Sequence, residues 1–273
     1  MPATFFIVPQ WQGSGSSRAM RLVDGAEAIR GDLPSAATVL VDVPAEAGSS
    51  EGTAVHRLSS IVAVRDALGA ALETRPAELP VVIGGDCGVE IGAVGRAIAG
   101  GETAVLWLDA HPDLNSPETS PSAAFHGMVV RTLLGDGPAA LVPAHPLAPG
   151  RLVLAGTRAS DDAESEYIAS AGIRVIAPGE VTAESIAEAL RATAAASVYI
   201  HVDLDVLDPA DIDGIGFPEP FGLGLQQLLD AILAAKAALP IVGAGITEFA
   251  PAEPETAGDD LGSILRIVGA LTG

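Results

Sequence analysis

Short runs rich in Val and Ile alternate with Ala-rich stretches of helical length along the whole chain, and this alternation restricts the fold more than any other feature. The spacing predicts strands at Thr4–Val8, Thr38–Val43, Pro80–Ile83, Thr103–Leu108, Arg151–Ala155, Ile173–Ile176, Ser197–Val202 and Pro240–Ala244. Helices are expected over Ala19–Arg30, Val55–Leu72, Val89–Ala99, Gly127–Leu134, Ala163–Ala171, Thr182–Ala194, Leu225–Ala238 and Gly258–Leu271. Strands this apolar on both faces belong in a parallel sheet covered by helices on each side. The expected fold class is therefore α/β: a single doubly wound domain over residues 1–273, with an about eight-stranded, mostly parallel sheet and helices on both faces. A hydrophobic content of 49% and a mean hydropathy of +0.41 fit a large buried core and exclude a disordered chain. Asn115–Phe125 and Asp208–Gly224 form the two longest loops, and long loops in compact domains are commonly functional.

Ligands of such sheets bind outside the carboxyl ends of the strands, and the chemically active residues collect there. In Leu106-Trp-Leu-Asp-Ala-His-Pro-Asp-Leu-Asn115 an apolar strand runs into Asp109, His111 and Asp113. Alternate side chains of an extended backbone point the same way, so these three project from one face. Asp203 and Asp205 repeat the spacing at the end of Val198–Val202. Gly84-Gly-Asp-Cys87 follows a third strand, and Ile246-Thr-Glu248 a fourth. Packing several carboxylates together is costly unless cations neutralise them. Two acidic sets, each closing an apolar strand, point to a divalent metal site.

The balance of 14 Lys and Arg against 35 Asp and Glu gives a net charge of −21, which argues against nucleic acid and anionic membranes as partners. Cys87 is the sole cysteine, so no intrachain disulfide forms and a reducing compartment is expected. The Phe5-Phe-Ile-Val8 run has no basic leader and reads as a first strand rather than a signal peptide. No apolar run reaches membrane-spanning length; Ala231–Ile246 is broken by Lys236 and Pro240. A cytoplasmic protein acting on a small molecule is the expectation.

Taken together, Gly-Gly-Asp-Cys at 84–87, Asp-Ala-His-Pro-Asp at 109–113, the Asn115–Met128 loop, Asp-Leu-Asp-Val-Leu-Asp-Pro at 203–209 and Glu248 resemble the ureohydrolase (arginase–agmatinase–formimidoylglutamase) family. Order and spacing agree from about residue 80 to residue 250, and the Asn115–Met128 loop looks more like arginases than like the other branches. The resemblance implies an arginase-like α/β fold, a homo-oligomer (trimer or hexamer), and two manganese ions. Residue by residue, it implies that Asp109 and Asp203 bridge both ions. His111 and Asp205 complete one site, and Asp113 with the residue at 87 completes the other. His126 matches the family's proton-shuttling histidine, and Glu248 the carboxylate that receives the guanidinium. Asn115 and Ser122 match residues that hold the amino-acid end of the substrate, and Asp161 an acidic residue for its amino group. The implied activity is metal-dependent hydrolysis of a guanidino group in arginine or a close relative, giving urea and an amine.

The departures are informative. The family normally has histidine where Cys87 stands. Thiolate is a softer ligand that favours zinc or a similar metal over manganese. Cys87 therefore changes the metal, weakens one site, or leaves a single ion at Asp109–His111–Asp203–Asp205; the bland alternative is a small buried residue. Ala123-Ala124 stands where arginases commonly carry Gly-Asn, which removes an amide contact to a substrate carboxylate. His201 stands where a small hydroxyl residue is usual, and reads as a packed group behind the ligands. Trp11 either lines the pocket or sits on the surface, and Asp161 also reads as a plain helix start. Alternative readings are agmatine, guanidinoalkanoate or formimino substrates, a weakened family member with a structural or regulatory role, and a metal-dependent deacetylase of related architecture.

Overall fold

The computed structural model describes residues 1–273 apart from the side chain of Glu255. Among the described residues the strands are β1 (Ala3–Val8), β2 (Thr38–Leu40), β3 (Leu79–Gly84), β4 (Thr103–Leu108), β5 (Leu152–Ala155), β6 (Arg174–Ile176), β7 (Ser197–Asp203) and β8 (Ile241–Thr247). They form one eight-stranded sheet in the order β2-β1-β3-β8-β7-β4-β5-β6. Every pairing is parallel. The helices are α1 (Arg21–Gly31), α2 (Leu58–Leu72), α3 (Glu90–Ile98), α4 (Val129–Leu133), α5 (Asp162–Ala171), α6 (Ala183–Ala192), α7 (Leu225–Ala238) and α8 (Ala257–Thr272).

Side-chain alternation along each strand divides the core between the two faces. Leu106 and Leu108 of β4 pack with Ile29 of α1, Leu190 of α6, Ile232 of α7 and Ile264 of α8. Val105 and Trp107 point the other way, with Ile61 of α2, Val94 of α3 and Val130 of α4. Both faces are covered, which is the arrangement that strands without a polar face require.

The strand order brings distant segments together. The chain lays β1, β2 and β3 at one side and β4, β5 and β6 at the other, then returns to insert β7 and β8 between them. The carboxyl ends of β3, β8, β7 and β4 therefore lie side by side. Leu108 pairs with Val202, Val202 with Ile246, and Asp203 with Thr247. This register puts Asp109, Asp203 and Glu248 at about the same height on the sheet.

Several elements are shorter than expected, among them α2 and α6 by three residues each, and in two others the contacts give the reason. β2 ends at Leu40 rather than Val43; it is an edge strand, and only Val41 N–H still bonds to Ile7 O before Asp42 and Pro44 turn away. The helix expected over Gly127–Leu134 begins as a 3-10 turn at Phe125–Met128, with α4 proper starting at Val129. The Gly127 carbonyl is taken by Asn115 N–H at 3.0 Å, so it cannot continue a regular helix.

Gly25 lets α1 approach the backbone just beyond Glu248: a Cβ there would overlap the Phe249 carbonyl oxygen. Gly25→Ala, which gains about 1 kcal/mol in a free helix, is expected here to lose about 1–3 kcal/mol through overpacking. Denaturant midpoints of the two proteins check the reversal of sign.

Candidate metal centre and substrate cleft

A cleft of about 460 Å³ opens above the carboxyl ends of the central strands, a size suited to an amino-acid-sized ligand. Cys87, His111, Asp113, Asn115, Ser122, His126, Asp161, Asp203, Asp205 and Glu248 line it. Asp109 lies just beneath, fully buried.

Two groups of possible ligands share Asp109. Asp109, His111 and Asp205 each bring a donor atom within 4.8 Å of the others, and so do Cys87, Asp109, His201 and Asp203. Backbone and neighbouring donors fix these carboxylates in place. Asp109 Oδ1 accepts from His111 N–H at 2.6 Å, and Oδ2 from the Trp107 indole at 2.9 Å. Asp203 Oδ1 accepts from Asp205 N–H at 2.8 Å, and Asp205 Oδ1 from Ala110 N–H at 3.0 Å. His111 Nδ1 lies 2.9 Å from Asp205 Oδ2. Asp113, at φ 53°, faces the cleft with a buried Oδ2 that has no partner among the described residues. It lies outside both compact ligand groups, whereas His201 falls inside one.

The electrostatics mark a site short of positive charge. Burial, then repulsion from Asp205, pushes the Asp109 carboxyl up to about 6. Burial and the neighbouring carboxylates raise Asp113 and Asp203 well above the usual range. Burial, with Asp203 next, does the same to the Cys87 thiol, whose Sγ is 3.0 Å from Asp203 Oδ2. Burial also opposes ionisation of Asp205, but His111 and the Ala110 N–H outweigh it and hold that carboxyl low. His111 is the counterpart: its burial is overcome by Asp109 and Asp205, which hold its proton. An orphan oxygen beside carboxyls that resist ionisation is what a cation would relieve, and the oxygen, nitrogen and sulfur donors fit a divalent ion.

Beside this centre, Glu248 sits in the left-handed region at φ 66°, fixed by its N–H to Gly85 O at 2.8 Å. Glu248 Oε1 accepts from Cys87 N–H at 3.2 Å and lies 3.4 Å from His126 Nδ1. Left-handed backbone at both Asp113 and Glu248 is the kind of strain that concentrates at functional sites. Burial disfavours charge on His126, but the bond to Glu248 and its charge outweigh it and raise its pKa.

The outer residues hold one another. Asn115 Nδ2 donates to Asp161 Oδ2 at 2.9 Å, and Asn115 Oδ1 accepts from Thr119 Oγ1 at 2.8 Å. Asp161 also caps α5, with Oδ1 accepting from Glu164 N–H in a capping box. Its helix-start role is therefore real, and it lines the cleft as well. Ser122 stands exposed at the mouth, accepting from Ala124 N–H at 3.2 Å. Ala123 adopts φ 56°, a conformation that suits glycine. Trp11 is not among the lining residues and carries the Arg57 guanidinium 5.0 Å above its ring.

Some contributors escaped the sequence reading. Phe217, from the long Asp208–Gly224 loop, stands 5.3 Å from the His126 ring centroid to centroid. Arg158 donates to the carbonyls of Asp205 and Glu219, each at 2.8 Å, tying that loop to the end of β7. Glu90, fully buried at the start of α3, was an acidic residue in an otherwise apolar stretch, a signal that could have been read.

The family model described as "Arginase family" matches residues 24–264. The chain belongs to the arginase family. An N(omega)-hydroxy-L-arginine amidinohydrolase of Streptomyces lavendulae is 31% identical over 265 residues, 94% of this chain and 90% of that protein. An arginase of Bacillus subtilis is 35% identical over 160 residues, 55% of this chain and about half (54%) of that relative's length. Among solved structures, the Entamoeba histolytica arginase in complex with L-ornithine superposes with a TM-score of 0.88 at 23% identity, covering 100% of this chain and 98% of that one. As an arginase-family chain, this protein is an amidinohydrolase of a metal-dependent hydrolase family, with the ureohydrolase α/β fold.

Groups whose folded pKa is raised stabilise the protein at low pH and lose that contribution as pH rises, for Asp109 between 3.8 and about 6. A divalent ion needs the ionised form, so its stabilisation grows with pH. The metal-dependent rise in Tm is therefore expected to increase from about pH 5 to about pH 7, to reach several degrees, and to vanish with chelator. Thermal melts with and without ion check this.

Proposed function

We propose that this arginase-family enzyme hydrolyses a guanidino C–N bond of L-arginine or a close guanidino compound, releasing urea and an amine. The observation that carries the reading is one cleft that places the Glu248–His126 pair beside the Asp109-centred donor groups. Asp109, Asp203, His111 and Asp205 would hold one ion, and Asp109, Asp203, Asp113 and Cys87 a second; manganese is the family expectation. Ions bound there would supply Lewis acidity that activates water near neutral pH.

The remaining work falls to side chains. Glu248, oriented by Cys87 N–H, accepts from the guanidinium through charge-assisted hydrogen bonds and turns its carbon towards the acidic cluster. As water oxygen bonds to that carbon it gives up one proton, the C–N bond breaks, and the departing nitrogen takes up one proton. His126, whose hydrogen bond to Glu248 favours its protonated form, stands in the cleft to donate it. Asn115, Asp161 and Ser122 receive the far end of the substrate at the mouth. Ala123-Ala124 offers no side-chain amide there, which favours testing substrates that differ at that end. The chain acts as one catalytic domain over residues 1–273, in the cytoplasm and as a homo-oligomer.

Urea release from arginine, hydroxyarginine, agmatine and guanidinoalkanoates, after loading with manganese, cobalt, nickel or zinc, tests the reading. Turnover of at least one compound is expected; no turnover of any compound with any metal would sink it. With the best substrate, His126→Asn is expected to lower kcat by about 100- to 10,000-fold with little effect on the fold. Steady-state kinetics beside circular dichroism checks that figure.

A further inference from the structure

We propose that His201 is a metal ligand, presenting Nε2 to the ion that Cys87, Asp109 and Asp203 surround, and that the buried carboxylate of Glu90 positions it. The inference rests on reading the cleft as a metal centre, but on no particular substrate.

The geometry comes first. His201 projects from β7 on the same face as Trp107 and Tyr199, and it is fully buried. Its Nε2 lies 3.8 Å from Cys87 Sγ and 3.9 Å from Asp109 Oδ2. A four-coordinate zinc, with bonds of about 2.0–2.3 Å, keeps its ligand atoms about 3.3–3.6 Å apart. The separations here, with Cys87 Sγ at 3.0 Å from Asp203 Oδ2, bracket that range. The imidazole absent from position 87, after β3, is thus supplied from β7, across the intervening β8.

The surroundings of His201 fit a ligand better than a packing residue. The Trp107 ring stacks on it at 3.5 Å between centroids and 18° between planes, which fixes the imidazole plane. On the far side, Nδ1 is 3.7 Å from Glu90 Oε1. Glu90 is fully buried, and both its oxygens, His201 Nδ1 and the Tyr199 hydroxyl have no partner among the described residues. Burying that many polar atoms serves no packing purpose and is costly. They are reconciled if Nδ1–H and the Tyr199 hydroxyl turn to Glu90, which leaves the Nε2 lone pair facing Cys87, Asp109 and Asp203. Histidine ligands characteristically donate their second nitrogen to a carboxylate in this way.

Space for that carboxylate is built into the sheet. Gly245 is the β8 partner of His201, and a Cβ on it would overlap Glu90 Oε1. Glu90 also opens α3, where the helix dipole favours negative charge. Thiolate and imidazole beside two carboxylates make a donor set that selects zinc or cobalt over manganese.

X-ray absorption at the zinc edge, with metal analysis, tests the assignment on the full-length zinc-loaded protein. In His111→Ala, imidazole scattering beside a sulfur shell is expected to persist, because His201 remains. Sulfur without imidazole would overturn the proposal. His201→Ala is expected to lose about one ion per chain, and Glu90→Gln, with the sulfur shell intact, to bind zinc about 10- to 100-fold more weakly. If His201→Ala does not fold, the other two variants still decide: unchanged zinc affinity in Glu90→Gln overturns the positioning role. Urea release is no part of these readouts. Imidazole scattering without turnover would leave the ligand assignment standing and remove the guanidino reading; turnover without it would do the reverse.

Discussion

Mutual repulsion among buried carboxylates is the constraint on which the rest of this molecule depends. Asp109, Asp113, Asp203 and Asp205 are nearly or fully buried at the edge of a sheet whose interior is apolar. Within a few ångströms, at the reduced dielectric of a protein interior, like charges interact by several kcal/mol. The protein meets part of that cost with the Ala110, His111 and Asp205 N–H groups and the Trp107 indole. The raised pKa values of Asp109, Asp113 and Asp203 show that these donors are insufficient. A divalent ion would relieve that deficit, whereas a centre fully satisfied by its own hydrogen bonds would have little reason to bind one.

Such an arrangement needs a rigid frame, and the strand order supplies it. Because β7 and β8 are inserted last, between β3 and β4, every donor of the centre hangs from a strand with neighbours on both sides. Polar side chains at the ends of central strands are held by two ladders of hydrogen bonds and by packing on both faces. The loops beyond are then free to vary. Asn115 and Asp161, which hold each other while Asp161 caps α5, line the cleft without taking part in the sheet. Under the proposed function, this division would place metal chemistry on the frame and substrate choice on the loops.

The elements carrying the frame were legible from the sequence because strands buried on both faces leave a continuous apolar trace. Asp109, His111, Asp113, Asp203 and Asp205 were legible because polar residues closing such strands need a reason to be there. What could not be read was relative position across strands. Nothing local in Val198–Val202 says that His201 lies beside Cys87; that follows from the β3–β8–β7 order and the pairing of His201 with Gly245. The short start of α4 was hidden for a similar reason, since Asn115 diverts the Gly127 carbonyl from outside the helix. Side chains that act through hydrogen bonds to distant backbone, as Arg158 does, leave no periodic signal at all.

Cys87 and His201 show why a motif read position by position misjudges such a site. Judged alone, cysteine in place of a family histidine reads as loss, and histidine in place of a small residue reads as packing. Their side chains nevertheless meet at 3.8 Å, so the two departures fall within one coordination volume. An ion responds to the atoms around it and not to the strands that deliver them. Exchanging which strand end supplies the imidazole preserves nitrogen in the donor set while adding sulfur. Glu90 and Gly245 then fit the same exchange, because an imidazole moved to β7 needs a carboxylate behind it and an absent Cβ to make room for that carboxylate. The two departures, Cys87 and His201, thus face each other with Glu90 and Gly245 packed behind the imidazole, an arrangement suited to a softer ion.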